Sequence, residues 1–228
     1  MRIISFTGPK GSGKDTCADL LKAEGISGGK ISFAGPMRKM FCEIFDLEPI
    51  LFEDRELKEY PFDEPIELNS IALISVLGCM YEYIEPLEYS RDQEEERMIF
   101  EGLKKHKVYT PRELLQYVGT EIIRKHINPA WHIEAAFSPK GLEGLNPEGI
   151  YCVTDARFPN EYQWLNNRFM LDFTGFYVDR PEAEETLKTA THDSELQVIE
   201  VRKLMNAEQV LDNSQDIEHL RKQILNKI

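Results

Sequence analysis

The segment Gly8-Pro9-Lys10-Gly11-Ser12-Gly13-Lys14-Asp15-Thr16 carries the clearest chemical signal in the 228 residues. It fits the pattern G-x-x-x-x-G-K, in which glycines let successive backbone N–H groups curl around a phosphate. The N-terminus of a following helix adds partial positive charge, and Lys14 supplies a movable full charge for β and γ phosphates. At ordinary glycine and lysine frequencies the pattern arises by chance about 0.06 times in a chain of this length. An ordinary glycine turn is the competing reading, weakened by the apolar run before the motif and the helical spacing after it. One position departs from the standard loop. Asp15 stands where a Ser or Thr hydroxyl normally meets Mg²⁺, and Thr16 follows one residue later. Phosphates repel a carboxylate so placed unless it reaches a metal, a metal-bound water or a backbone amide. Asp15 and Thr16 are therefore candidate metal contacts, directly or through water.

A second constellation is Asp155-Ala156-Arg157, directly after the apolar run 149–154 (GIYCVT). An Asp at the carboxyl end of a parallel strand lies on the edge where α/β sheets bind ligands. It suits a Mg²⁺ shell or a substrate hydroxyl, while Arg157 offers a bidentate fork to phosphate. A helix cap with a paired arginine is the plainer alternative. Arg38 follows Gly35-Pro36 after a second apolar segment, at the same expected edge. Arg112 falls in the first turn of a helix, where a cation opposes the dipole; either a phosphate or plain solvent would account for it. Gln116 and Thr120 lie four and eight residues on, on roughly the same face, lining a cleft or facing water. Trp131 and His132 have a core reading beside a base-stacking one. His192-Asp193-Ser194-Glu195 lacks a second ligand group at metal spacing, and no zinc is assigned.

These residues need elements to hold them. Residues 2–7 read as a buried strand, 15–24 as a helix, 30–34 as a strand, and the chain from Gly35 to about 45 as a helix with Met37, Met40, Phe41 and Ile44 on one face. Residues 46–108 are rich in Glu, Asp and Pro, with one buried helix expected over 71–77. They read as a mostly helical acidic insertion. Thr110-Pro111-Arg112-Glu113 is a capping box with proline at the first helical position, opening a helix to about 125. Further elements are a helix over 131–137, a strand over 149–154, a helix over 160–167, strands over 171–178 and 209–211, and a helix over 215–227. Strands alternating with helices predict an α/β fold with a parallel sheet flanked by helices. The core is expected over 1–45 and 109–228, with the insertion over 46–108.

Composition narrows the function. A net charge of −13 with 42% hydrophobic residues describes a folded chain and argues against a passive nucleic-acid binder. A concentrated cluster of Arg and Lys can still serve an anionic small molecule. Four scattered cysteines form no metal-type pair and read as reduced thiols. No stretch of 18 apolar residues occurs and the first residues lack a signal-peptide core, so a cytoplasmic protein without a membrane partner is expected.

Taken together, GPKGSGKDT, FAGPMRK, TPRELLQYVGTEIIR, NPAWHIEA, VTDARFPNE, DRP and THDSE resemble the deoxynucleoside monophosphate kinases of tailed bacteriophages. The resemblance runs in ordered blocks from residue 2 to about 195 and is weakest over 46–108. It implies a P-loop kinase that moves the ATP γ-phosphoryl group to a dNMP with Mg²⁺, in the host cytoplasm if phage-encoded, with no nucleic-acid polymer as partner; it is compatible with a homodimer. Gly11, Ser12, Gly13, Lys14, Asp15 and Thr16 would then bind the ATP phosphates, and Arg180 would meet the adenine. Lys10 would reach toward the acceptor phosphate. Gly35, Pro36, Arg38, Arg112, Gln116, Thr120, Trp131, Asp155, Arg157 and Glu161 would line the monophosphate pocket. Lys14, Arg157 and Arg112 would carry catalysis, and Asp155 would join Asp15 and Thr16 near the metal. Base choice would depend on Gln116, Trp131 and the insertion, from which Arg91 and Arg97 would close as lid arginines. Two alternatives stay open: a kinase of another small phosphorylated acceptor such as phosphomevalonate, and an ATP-binding regulator without transfer.

Overall fold

Ile3, Ile4 and Phe6 are wholly shielded from solvent, as a continuous apolar strand must be when helices cover both faces of its sheet. The computed structural model describes residues 1–54, 56–84, 106–187 and 193–228. Among them the strands are β1 (Arg2–Thr7), β2 (Gly29–Lys30), β3 (Ile66–Leu68), β4 (His106–Val108), β5 (Ile150–Val153), β6 (Phe173–Asp179) and β7 (Val210–Asp212). The chain divides into two compact units, residues 1–32 with 144–228, and residues 33–143.

The first unit holds a five-stranded sheet in the order β2-β5-β1-β6-β7, every pair parallel. Ile4 sits opposite Cys152 on one side and Thr174 on the other. Helices Lys14–Ala23, Pro159–Phe169, Asp193–Lys203 and Ile217–Lys227 flank it. Phe6 stacks on Phe176 with ring centres 5.9 Å apart, in a cluster with Leu21, Val178, Leu211 and Ile224. The order reverses about β1, which creates a crevice beyond the carboxyl ends of the strands. Of the second expected strand only Gly29–Lys30 is regular, although the Ile31 N–H still donates to the Cys152 carbonyl at 2.8 Å. The chain then leaves the ladder because Pro36 starts a helix, Gly35–Phe45, within a few residues.

In the second unit, residues before and after the expected boundary at 46 share one apolar cluster. Phe52, Leu68, Leu73 and Val76 pack with Met37, Met40, Phe41, Leu114, Val118 and Trp131. The acidic segment thus supplies helix Ser70–Tyr81, capped by Asn69, and a short antiparallel strand pair in which Ile66 faces Val108. Half of the expected capping box forms: the Thr110 hydroxyl accepts from the Glu113 N–H, while the Glu113 carboxylate accepts from the Tyr109 N–H, one residue before the cap, and not from the Thr110 N–H. One departure from expectation is the winding. The helix is α-type over Pro111–Gln116 and then widens to π-type over Tyr117–Ile127. At that wider pitch Val118, Ile122, Ile123 and Ile127, spaced by four and five residues, fall on one buried face. Gly119 sits in this stretch because an added Cβ would lie 2.9 Å from the Met37 methyl and 3.2 Å from His132 Nε2.

His132 belongs to this core. Burial, helped by the nearby Arg124 charge, lowers its pKa to about 3 from 6.5, so it folds neutral. The unfolded chain takes up a proton below about 6.5 that the folded chain refuses, so stability is lost as pH falls from there toward 3, at about 1.4 kcal/mol per unit. Chemical denaturation at pH 6.5 and 4.5 is expected to show this loss in the native chain and less of it in His132→Gln. Equal losses in both would assign acid sensitivity elsewhere.

Candidate active site

The glycine loop leaves the carboxyl end of β1 and enters helix Lys14–Ala23. Gly13 has φ 101°, and a Cβ there would sit 2.5 Å from Asn213 Nδ2. At Gly8 a Cβ would meet the Val178 carbonyl oxygen at 2.7 Å. Both positions exclude a side chain by close approach. Three of the loop's carbonyls are taken by side-chain donors: Pro9 by Lys14 Nζ at 2.6 Å, Gly11 by Arg180 Nη1 at 3.3 Å, and Ser12 by Asn213 Nδ2 at 2.7 Å. In a trans peptide the C=O and the next N–H point in opposite directions. Tying back the Ser12 carbonyl therefore turns the Gly13 N–H away from Asn213. This is the arrangement of amides that a phosphate needs.

Lys14 is buried, and its ammonium is held down at about 8, first by desolvation and then by Arg157. Asp15 and Asp155 push the other way, so Lys14 feels three other charged side chains at the carboxyl end of the sheet. Burial raises the Asp15 carboxyl, but the Thr154 hydroxyl, Lys30 and Lys14 outweigh it and hold the group below the usual carboxylate range. Thr154 Oγ1 donates to Asp15 at 2.7 Å, and Lys30 bridges Asp15 and Asp19 at 3.6 and 2.9 Å. Ser32 Oγ donates to Asp155 at 2.6 Å. Behind them, Thr7 Oγ1 donates to the Ala156 carbonyl. Glu161, almost wholly buried, accepts from the backbone N–H groups of Arg157 and Phe158 at 2.7 and 3.0 Å. Its carboxylate thus fixes the turn that carries Arg157 and caps helix Pro159–Phe169.

Arg180 follows β6, its Nε 3.3 Å from Glu182, and borders an open cavity of about 220 Å³ with Gly13, Thr16, Asn213, Gln215 and Ile217. Lys10 stands exposed at the loop tip. Among the described residues no three His, Cys, Asp or Glu converge on a metal position. The donors available at the loop are the Thr16 hydroxyl and the Asp15 and Asp155 carboxylates. One or two carboxylates completed by substrate phosphates and water is the donor set Mg²⁺ prefers.

The other expected substrate residues lie in the second unit. Gly35 and Pro36 begin helix Gly35–Phe45, and Arg38 on it has a buried Nε with no hydrogen-bond partner among the described residues. Trp131 is buried, set edge-on to Tyr83 and His132, and its Nε1 likewise has no partner among the described residues. Thr120 is buried and Gln116 half-buried. Arg112 donates to Glu59 at 2.6 Å, which supplies a partner for a cation in an otherwise unfavourable first turn. Arg91 and Arg97 lie outside the described residues. Sequence reasoning passed over Asn213, Ser32 and Thr154. The signal was available for Asn213 and Thr154, polar residues that directly follow β7 and β5 on the ligand edge.

Lys14 is a cation stored at a cost in the absence of phosphate. Its folded pKa is depressed, so the penalty is complete below about 8 and disappears as pH rises from there toward 10.5. The shift amounts to about 3 kcal/mol. Lys14→Met is accordingly expected to melt several degrees above the native chain at pH 7 without nucleotide, with the gap closing by pH 10. A lower melting point for the variant at pH 7 would show that the bond to Pro9 outweighs the burial cost.

Among the described residues no helix is long and apolar enough to cross a membrane. The pattern of the deoxynucleotide monophosphate kinase family matches residues 2–224. A protein of Acanthamoeba polyphaga mimivirus named as a deoxynucleotide monophosphate kinase is 26% identical, over 99% of this chain and 95% of its own. The deoxynucleoside-5'-monophosphate kinase of Escherichia phage T5 is also 26% identical, over 85% of this chain and 83% of its own. With a phosphate loop, a parallel sheet reversing at β1 and a family match over nearly its whole length, the chain belongs to the deoxynucleotide monophosphate kinase family.

Proposed function

We propose that ATP, as its Mg²⁺ complex, binds with its phosphates in the loop Gly8–Thr16, and that Lys14 and Arg157 neutralise the charge that develops during transfer. The activity itself follows from the family: the chain is a phosphotransferase that moves the γ-phosphoryl group of ATP to a deoxynucleoside monophosphate, and a phosphomevalonate-type acceptor is not favoured. The observation that carries the site reading is the buried Lys14 ammonium, which feels Arg157, Asp15 and Asp155, beside a loop whose carbonyls are tied back.

The chemistry asks little covalent work of the protein. An oxygen of the acceptor's 5'-phosphate bonds to the γ-phosphorus while the bond from that phosphorus to the β–γ bridging oxygen breaks, leaving dNDP and ADP. Catalysis is then alignment of two anions and neutralisation of charge on the transferring oxygens. Lys14 leaves the Pro9 carbonyl for the β and γ phosphates, a site where its charge is wanted. Arg157, its backbone held by Glu161, supplies a fork to the transferring group. Thr16, Asp155 and Asp15, the last directly or through water, would hold Mg²⁺, which would supply charge neutralisation for the transferring phosphoryl group. Lys10, Arg38 and Arg112 are assigned to the acceptor phosphate, and Gln116, Thr120 and Trp131 to its base. The unpartnered buried donors of Arg38 and Trp131 support that assignment, since such groups are costly unless a ligand meets them. Four free cysteines suit the cytoplasm, where nucleotides are made.

A coupled assay of ADP release over dGMP, dTMP, dCMP, dAMP and phosphomevalonate tests the reading. Turnover is expected with at least one dNMP and none with phosphomevalonate. Lys14→Ala and Arg157→Ala are each expected to lower kcat at least about a hundredfold. A normal rate in Arg157→Ala would remove that residue from the transferring group.

A further inference from the structure

Asn213 is pinned from two sides. Its backbone N–H donates to the Asp179 carbonyl at the end of β6 at 2.7 Å, and its side-chain Nδ2 donates to the Ser12 carbonyl at 2.7 Å. A carbonyl oxygen only accepts, so the orientation of this amide is set by chemistry: the nitrogen must face Ser12. The other branch of the amide, Oδ1, is then an acceptor of fixed position. No donor among the described residues is bonded to it, and Asn213 borders the cavity that Gly13, Arg180 and Ile217 also line.

The remaining walls suit a flat heterocycle. Ile217 is 58% exposed and offers an apolar face. Arg180, tethered to the Gly11 carbonyl and to Glu182, offers a planar cation of the kind that stacks on aromatic rings. The cavity starts at Gly13 and Thr16, so a base placed there is continuous with phosphates held by the loop.

We propose that Asn213 selects the base of the phosphoryl donor, its Oδ1 accepting from the exocyclic 6-amino group of a purine and disfavouring a 6-oxo purine. This rests on the phosphate loop being the donor nucleotide's site. The selection is coupled to the loop itself, because the same amide that meets the base holds the Ser12 carbonyl and so orients the Gly13 N–H. A 6-oxo base sets an acceptor against an acceptor and leaves Oδ1 unsatisfied, which a polar site penalises more heavily than a missing apolar contact. Asn213 is thus a specificity residue for the donor, distinct from the groups that neutralise charge in transfer.

The test compares ATP with ITP, which differ at position 6 and not at position 2, using the full chain and the dNMP with the best turnover. The native chain is expected to favour ATP over ITP in kcat/KM by about tenfold or more, the value of one hydrogen bond with its unsatisfied counterpart. Asn213→Ala should bring the two nucleotides to within about twofold, mainly through KM for ATP. Asn213→Asp keeps an acceptor but loses the donor to Ser12. It should retain preference for ATP while using both nucleotides poorly. Melting curves establish that each variant is folded; if the alanine variant is not, a lost preference in Asn213→Asp overturns the proposal. A native ratio near one, or an unchanged ratio in Asn213→Ala, also overturns it. If Lys14→Ala leaves ATP turnover intact, the loop reading fails first and this inference falls with it. An intact loop reading with an unchanged ratio fails this inference alone.

Discussion

An ammonium group pressed into a protein interior is expensive, and the surroundings of Lys14 are arranged around that expense. Its charge is opposed by burial and by Arg157, and is only partly compensated by Asp15 and Asp155. In the folded chain it rests on the Pro9 carbonyl, inside the loop it serves. On the proposed reading, a polyanionic triphosphate would be a better partner than one carbonyl, so its binding would release a cost already incurred in folding. The glycines, the tied-back carbonyls and the strand end at β1 serve the same condition. They keep an anion-shaped space open beside a cation that the fold alone does not satisfy.

Overall acidity fits this arrangement. A net charge of −13 repels polyanions at a distance. Within the first unit, however, Lys14 and Arg157 sit close enough to depress the lysine's pKa, and Asp15 and Asp155 keep the pair from being wholly repulsive. Carboxylates near phosphates are tolerable here because each is already engaged, Asp15 by Thr154 and Lys30, Asp155 by Ser32. Local pairing, and not the mean charge, decides which anions the chain accepts.

The first unit was largely legible from sequence because its signals are local and strong. Apolar runs over 2–7, 149–154 and 171–178 correspond to strands Arg2–Thr7, Ile150–Val153 and Phe173–Asp179, and each leads into a residue of the candidate site. What escaped was relational. That Asn213 reaches Ser12, 201 positions away, follows from β7 lying beside β6, and no spacing rule encodes it. Glu161 reads as a pocket residue in sequence, yet its carboxylate is spent on two backbone N–H groups. The second unit was harder. Strands β3 and β4 are three residues each and stand nearly forty positions apart, too short for a periodicity signal. The widening of the helix after Gln116 was invisible too, since spacings of four suit both α and π winding over a few turns.

The unequal legibility has a physical origin that bears on how such an enzyme can vary. Phosphate recognition uses backbone N–H groups, so it constrains glycine positions and strand ends and writes itself into the sequence. Recognition of an acceptor base, as proposed, would use side chains on helices whose packing tolerates many apolar solutions. In the second unit the acidic segment contributes Phe52, Leu68, Leu73 and Val76 to the cluster that contains Trp131. Substitutions at those four positions therefore reach Trp131 through packing. If Trp131 meets the acceptor base as proposed, the packed residues of this segment, where the phage-kinase resemblance is weakest, would be where acceptor choice is freest to change.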